Sequence, residues 1–410
     1  MRTERTEYMM KDLEFLEHVI DQKSQMILDA NDRIWEYAEL AYHETRSADL
    51  LCQILKDEGF SVTTGDAGIP TCFTGTFSYG SGKPVMGILG EYDALSSLSQ
   101  KAASPRKEPV EAGAPGHGCG HSALGTGSLA AVLAVKEYLV ENKKDGTIIY
   151  FGCPAEEGAG SKQFMARAGM FDNVDFVYTW HPATINAVEC NHSNAIMGAN
   201  FEFKGVSSHA GGSPHLGRSA LDAVELMDVG CNYLREHVLP EVRFHYAITN
   251  SGGTAPSTVQ SEAEVCYNIR APRNGDMLDV YERIRSVAEG AALMTGTRVD
   301  VRPVSYYANH LDNTLLNRLT AEAMDQILDE SYTESELEYA RKYQSVLSEE
   351  GVKRAKENAA RYLEHPTREQ VDSPISLYGC PIGLPKSASS DAGNVSWNVP
   401  TAFFSCPCFA

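Results

Sequence analysis

Ser122–Val140 reads SALGTGSLAAVLAVKEYLV, a Leu-, Ala- and Val-rich stretch long enough for a buried helix. It stands between two short apolar runs, Val85–Leu89 and Thr147–Phe151, and a third run, Val174–Tyr178, follows. Each run ends in turn or loop residues. Such an alternation predicts an α/β fold whose mostly parallel sheet is flanked by helices. Upstream, Ile34, Tyr37, Ala38 and Ala41, then Leu50, Leu51, Ile54 and Leu55, recur at helical spacing and predict two helices between Glu14 and Leu55.

Beyond His192 the texture changes. Ile196–Gly205, Ala263–Ala271 and Arg298–Val304 predict strands, while Ser219–Val238 and Met277–Leu293 predict helices. This pattern fits a smaller α+β module inserted into the first domain. The expected division is 1–195 and 309–410 for the main domain and 196–308 for the insertion. The 410 residues exceed what one compact core usually holds, which also favours two domains. Leu311–Glu364 is charged and helical in pattern. The segment from Ile375 is rich in Gly, Pro and Ser before a last apolar run, Val399–Ser405.

Charge and composition narrow the partners. With 35 Lys and Arg against 55 Asp and Glu, the formal charge is −20, which opposes binding to nucleic acid and to anionic membrane surfaces. Met1–Asp21 mixes charges with short apolar runs and lacks the hydrophobic stretch of a secretory signal. No segment reads as approaching the roughly 20 apolar residues that span a bilayer. Ten cysteines without a signal are expected to be reduced thiols, so the cytoplasm is the expected compartment.

Three places carry donor side chains of the right chemistry. Gly116-His117-Gly118-Cys119-Gly120-His121 sets a thiol and imidazoles among glycines just before a helix, and Cys and His are preferred ligands of zinc-like ions. Tyr150-Phe151-Gly152-Cys153-Pro154-Ala155-Glu156-Glu157-Gly158 puts two carboxylates directly after an apolar strand, where open α/β sheets collect ligands. One of them can hold a cation while the other takes a proton from water. Tyr178-Thr179-Trp180-His181-Pro182 supplies another imidazole at a third strand end. Read singly, each also has a plain reading as a packed or solvated residue. Read together, Cys119, His121, Glu157 and His181 form a set of N, O and S donors that favours a metal. In the inserted module, His209 sits in a turn-rich loop, where it can reach over a metal site to steady an oxyanion. Gly158-Ala159-Gly160-Ser161-Lys162 lacks the frame of a phosphate loop, and Cys406-Pro407-Cys408 lacks the usual two-residue spacing, so both read as structural.

These motifs resemble the aminoacylase and carboxypeptidase-G type metallo-amidohydrolases, in the p-aminobenzoyl-glutamate hydrolase branch. The likeness runs through Glu36-Tyr37-Ala38-Glu39-Leu40, Gly90-Glu91-Tyr92-Asp93-Ala94-Leu95, the Cys119 hexapeptide, Pro154-Ala155-Glu156-Glu157-Gly158, His209-Ala210-Gly211 and Ser389-Ser390-Asp391. The resemblance implies a dinuclear manganese or zinc site in the α/β domain, with the inserted module as lid and homodimerisation surface. By position it implies Cys119, His121, Glu157 and His181 as metal ligands and Glu156 as general base. His209 matches the lid histidine that reaches the active site, often that of the other protomer. Asp93 would be a supporting residue and Arg270 a holder of a substrate carboxylate. Relatives continue past the segment resembling Val399–Ala410 with a Pro-Gly-His-Ser-like loop that supplies a further ligand, and then a closing helix. This sequence ends at Ala410, and His365, upstream, does not match that loop. If that ligand is missing, weaker hold on one ion is expected. The implied activity is hydrolysis of an amide in a small N-acyl amino acid such as an aminobenzoyl-glutamate. The alternatives are a dipeptidase or aminoacylase of other acyl preference, a truncated non-catalytic metal-binding protein, and a cysteine hydrolase using Cys119 with His121. Residues two apart on a loop usually point away from each other, which disfavours the last.

Overall fold

The computed structural model describes residues 2–189, 193–327, 332–362 and 389–409. His365 and residues 375–388 lie outside them. The chain divides into two compact units, one of Met1–Asn191, Leu311–Pro385 and Val395–Ala410, the other of His192–His310 and Lys386–Asn394.

In the first unit, α1 (Arg2–Tyr37) and α2 (Thr45–Asp57) precede the hairpin β1 (Ser61–Thr64) and β2 (Phe73–Tyr79). Then come β3 (Val85–Glu91), α3 (His121–Glu141), β4 (Gly146–Cys153), α4 (Lys162–Arg167), β5 (Phe176–Ala183) and β6 (Ala187–Glu189). After the second unit follow α7 (Thr314–Ile327), α8 (Glu334–Gln344), α9 (Glu349–Tyr362) and β13 (Thr401–Pro407). The seven strands lie in the order β1-β2-β4-β3-β5-β13-β6. The central four, β4, β3, β5 and β13, run parallel, and the margins are antiparallel. The central strands bury their apolar runs, and Ile34, Leu51 and Leu55 of α1 and α2 join Leu129, Val132 and Leu133 of α3, Ile148 and Tyr150 in one core.

Helix α3 is long and apolar enough to cross a membrane by length and composition alone, contrary to the sequence expectation. Here it is a core helix. Leu124, Leu129, Val132 and Leu133 are fully buried, and Gly125 lies so close to the sheet that a Cβ there would stand 2.6 Å from the carbonyl oxygen of Glu91. That approach draws the first turn of α3, with His121, against the end of β3.

The second unit is α+β. It contains β7 (Ala195–Lys204), β8 (Ser208–His209), α5 (Ala220–Leu234), β9 (Arg243–Asn250), β10 (Thr258–Val259), β11 (Glu262–Ala271), α6 (Asn274–Thr295) and β12 (Arg298–Tyr307). Its antiparallel sheet has the order β12-β7-β11-β9, and Phe201, Phe203, Val265, Tyr267 and Ile269 pack with Val224, Met227 and Ile284 of the helices.

Candidate metal centre

The parallel strands end together, and their ends assemble the site. β3 delivers Glu91, with Asp93 two residues on; the turn after β4 delivers Glu156 and Glu157; β5 delivers His181; the loop into α3 delivers Cys119, and the first residue of α3 is His121. His181 lies inside β5 and not beyond its end, because pairing with β13 extends the strand from Val177 to Ala183.

Donor atoms of Cys119, His121 and His181 all lie within 4.8 Å of one another. Glu91, His121 and Glu156 form a second group within the same limit, so His121 is common to both. Cys119 Sγ is 3.3 Å from His181 Nε2. Glu157 falls in neither group; its backbone N–H donates to Asp93 Oδ2 at 2.8 Å. His209 and Arg270 belong to the second unit. There His209 is exposed and its Nδ1 accepts from the backbone N–H of Gly211 and Gly212, while Arg270 donates to Ser389 Oγ at 3.2 Å.

Hydrogen bonds outside the cluster orient both imidazoles. Asp93 Oδ1 lies 2.9 Å from His121 Nδ1, and the carbonyl oxygen of Pro182 lies 2.7 Å from His181 Nδ1. With Nδ1–H donated in each case, the Nε2 lone pairs face the cluster, as in a carboxylate–histidine–metal arrangement. His121 Nε2, Glu91 Oε2 and Glu157 Oε1 are buried and make no hydrogen bond. Yet His121 Nε2 is only 3.3 Å from Glu91 Oε2. Two acceptors that close repel unless a proton or a cation lies between them. Burial disfavours the imidazolium, but the Asp93 hydrogen bond, with Cys119 and Glu91 beside the ring, raises the pKa of His121 well above its ordinary value on balance. Burial also pushes up the Cys119 thiol and the Glu157 carboxyl, a cost that a bound cation removes. This set of soft and hard donors, with orphaned atoms aimed inward, fits divalent transition-metal ions.

Two site residues escaped the sequence reading. Glu91 ends an apolar strand just as Glu156 follows one, and that shared position was the available signal. Lys162, in the stretch read as structural, is fully buried and places Nζ 2.7 Å from Glu91 Oε1. Burial alone would raise the Glu91 carboxyl, but Lys162, then His121 and His181, hold it below its usual range.

The sequence profile of peptidase family M20/M25/M40 matches residues 87–408. The chain belongs to this family. It is a hydrolase acting on amide bonds, as family membership and its relatives establish. Over 406 residues, 97% of this chain and 83% of the relative, it is 41% identical to one of the subunits of p-aminobenzoyl-glutamate hydrolase from Escherichia coli K12. Among solved structures, an aminobenzoyl-glutamate utilization protein from Klebsiella pneumoniae shares the fold at 20% identity and a TM-score of 0.64, covering 95% of this chain and 93% of its own. A dinuclear metal binding peptidase of the M20 family from Bacillus subtilis does so at 16% identity and a TM-score of 0.56, over 93% and 88%. In this chain the donor cluster stands at the carboxyl ends of the parallel strands.

A buried carboxyl, that of Glu44, accepts a hydrogen bond from Ala155, next to Glu156 in this M20 chain. Glu44 is fully buried, and burial, aided by the Asp93 charge, raises its pKa from 4.5 to about 7. A raised carboxyl pKa makes folding favour the protonated form. Its contribution to stability is therefore complete below pH 4.5 and is lost as pH rises towards 7. Glu44→Gln should accordingly gain on the wild type across that window, by up to about 3 kcal/mol. Urea midpoints of the two proteins at pH 5 and pH 8 check this; a difference independent of pH would refute it.

Proposed function

We propose that this chain hydrolyses the amide bond between a small aromatic acyl group of the aminobenzoyl kind and glutamate, with two divalent ions, manganese or zinc, held by Cys119, His121, Glu157 and His181. The observation that carries the reading is the pair of donor groups sharing His121, with Glu156 in one of them. The substrate class rests on the name of the 41% identical relative.

When bound, the ions supply Lewis-acid polarisation of the carbonyl and activation of water. Glu156 takes the proton from the attacking water and passes it to the leaving nitrogen. Asp93 keeps His121 in the required tautomer and, through the Glu157 N–H, ties the acidic turn to the end of β3. Glu91, held ionised by Lys162, adds negative charge that favours cations. His209 steadies the oxyanion, and Arg270 holds the substrate carboxylate. A homodimer through the inserted unit is supported by the exposed apolar face of α5, where Leu226, Val229 and Tyr233 are 38, 53 and 73% exposed. The cytoplasm remains the proposed compartment.

The test is a panel of aminobenzoyl-glutamate, N-acyl amino acids and short dipeptides, assayed after chelation and after adding manganese or zinc back. Chelation should abolish turnover, add-back should restore it, and aminobenzoyl-glutamate should give the highest kcat/KM. Undiminished activity in chelator would end the metal reading, and preference for dipeptides would replace the substrate.

A further inference from the structure

The loop between α1 and α2, residues 38–44, touches both segments that bring acids to the metal centre. On one side, Ala94 N–H donates to Glu39 O at 2.8 Å, beside a parallel bridge between Leu40 and Ala94, next to Asp93. On the other, Ala155 N–H donates to Glu44 Oε1 at 2.9 Å, and Tyr42 OH donates to Gly160 O at 2.9 Å. The same loop packs so tightly on the turn that a Cβ at Gly158 would stand 2.8 Å from Ala41 Cβ.

The turn so gripped has an unusual backbone. Ala155 adopts φ +63°, left-handed for a non-glycine residue, and its carbonyl accepts from Gly158 N–H at 3.2 Å and Gly160 N–H at 2.9 Å. A left-handed alanine costs energy and persists only where its surroundings hold it. Glu44 provides that hold. It is itself fixed, since Oε1 also accepts from Tyr42 N–H at 2.9 Å and Oε2 from Thr71 Oγ1 at 3.1 Å. Tyr92 OH in turn donates to Thr71 O at 2.6 Å, so the network closes back onto the segment between Glu91 and Asp93.

We propose that Glu44 is a positioning residue for the hydrolysis: by accepting the Ala155 N–H it fixes the left-handed turn and thereby the direction in which Glu156 presents its carboxylate. The inference rests on the reading of Glu156 as proton acceptor. Glu44 makes none of the donor contacts of the cluster, and its effect passes through one backbone bond. Its side-chain oxygen matters and its charge does not, so glutamine should substitute where alanine cannot.

Glu44→Ala, Glu44→Gln and Glu44→Met test this in the full chain. In metal-free protein, hydrogen exchange of the 155–160 amides should speed up in Glu44→Ala and stay near wild type in Glu44→Gln, with α6 of the second unit unchanged as internal reference. In metal-loaded protein, Glu44→Ala should lose about 10²-fold in kcat, the scale of a small misplacement of a reacting group, with KM and ion content near wild type, and Glu44→Gln should recover most of it. Should Glu44→Ala fail to fold, Glu44→Met, which keeps the volume but offers no oxygen, decides, with faster exchange at 155–160 and a similarly lower kcat expected. Wild-type turnover in a folded Glu44→Ala, or in Glu44→Met when that variant stands in, overturns the proposal. So does a Glu44→Gln as impaired as the alanine variant. Wild-type protein inert on every amide of the panel would instead refute the proposed function, while the exchange readout would still decide the clamp.

Discussion

Glu156→Gln is expected to lose turnover by about 10²–10⁴-fold, the usual contribution of a positioned general base, while the folded protein keeps its ion content. The side chain lies within 4.8 Å of the donor atoms of Glu91 and His121, near enough to reach a water in the cluster. Glutamine keeps its size and one oxygen but cannot take a proton at neutral pH. Three donors, Cys119, His121 and His181, group independently of Glu156, so metal content should stay at the wild-type level by elemental analysis. Normal turnover would remove Glu156 from proton transfer. Loss of an ion together with activity would make it a ligand instead.

Lys162→Met should destabilise the protein by roughly 3–5 kcal/mol, because it strips the counter-charge from a buried carboxylate. Lys162 is fully buried and Glu91 is 3% exposed, and their charged atoms are 2.7 Å apart. Methionine fills much the same volume, so cavity formation contributes little and the unpaired Glu91 dominates. Denaturant midpoints of metal-free wild type and variant measure the loss. Adding Glu91→Gln to Lys162→Met should return much of it, since the two residues act as one unit. A single-variant cost below about 1 kcal/mol would show that water or relaxation already screens the pair.

The central strands were legible because they are buried on both faces and read as continuous apolar runs, as in Val85–Leu89 and Thr147–Phe151. The marginal strands were not. β1 is SVTT with three of four residues exposed, and most of β9, RFHYAITN, faces solvent, so neither carries an apolar run. β6 has three residues and exists through its pairing with β13. Within the site, Cys119, His121, Glu156, Glu157 and His181 were legible by donor chemistry and by place, just before a helix or near a strand end. Glu91 offered only its place at the end of an apolar strand, and Lys162 offered nothing local, because its partner lies 71 positions away and a buried ion pair reads like two solvated charges. Glu44 was hidden for the same reason: its partner Ala155 lies 111 residues on.

The position of β13 bears on how the chain assembles during synthesis. It lies between β5 and β6, and its Ser405 bonds to Ile185, 220 residues earlier. While the ribosome makes everything between, one edge of β5, the strand bearing His181, has no neighbour to satisfy its amides and carbonyls. An unpaired edge of that kind invites pairing with other chains, and the long closure slows its completion. Until Thr401–Pro407 emerges, the nascent protein therefore carries an open strand edge in the middle of its sheet, the kind of edge that favours aggregation.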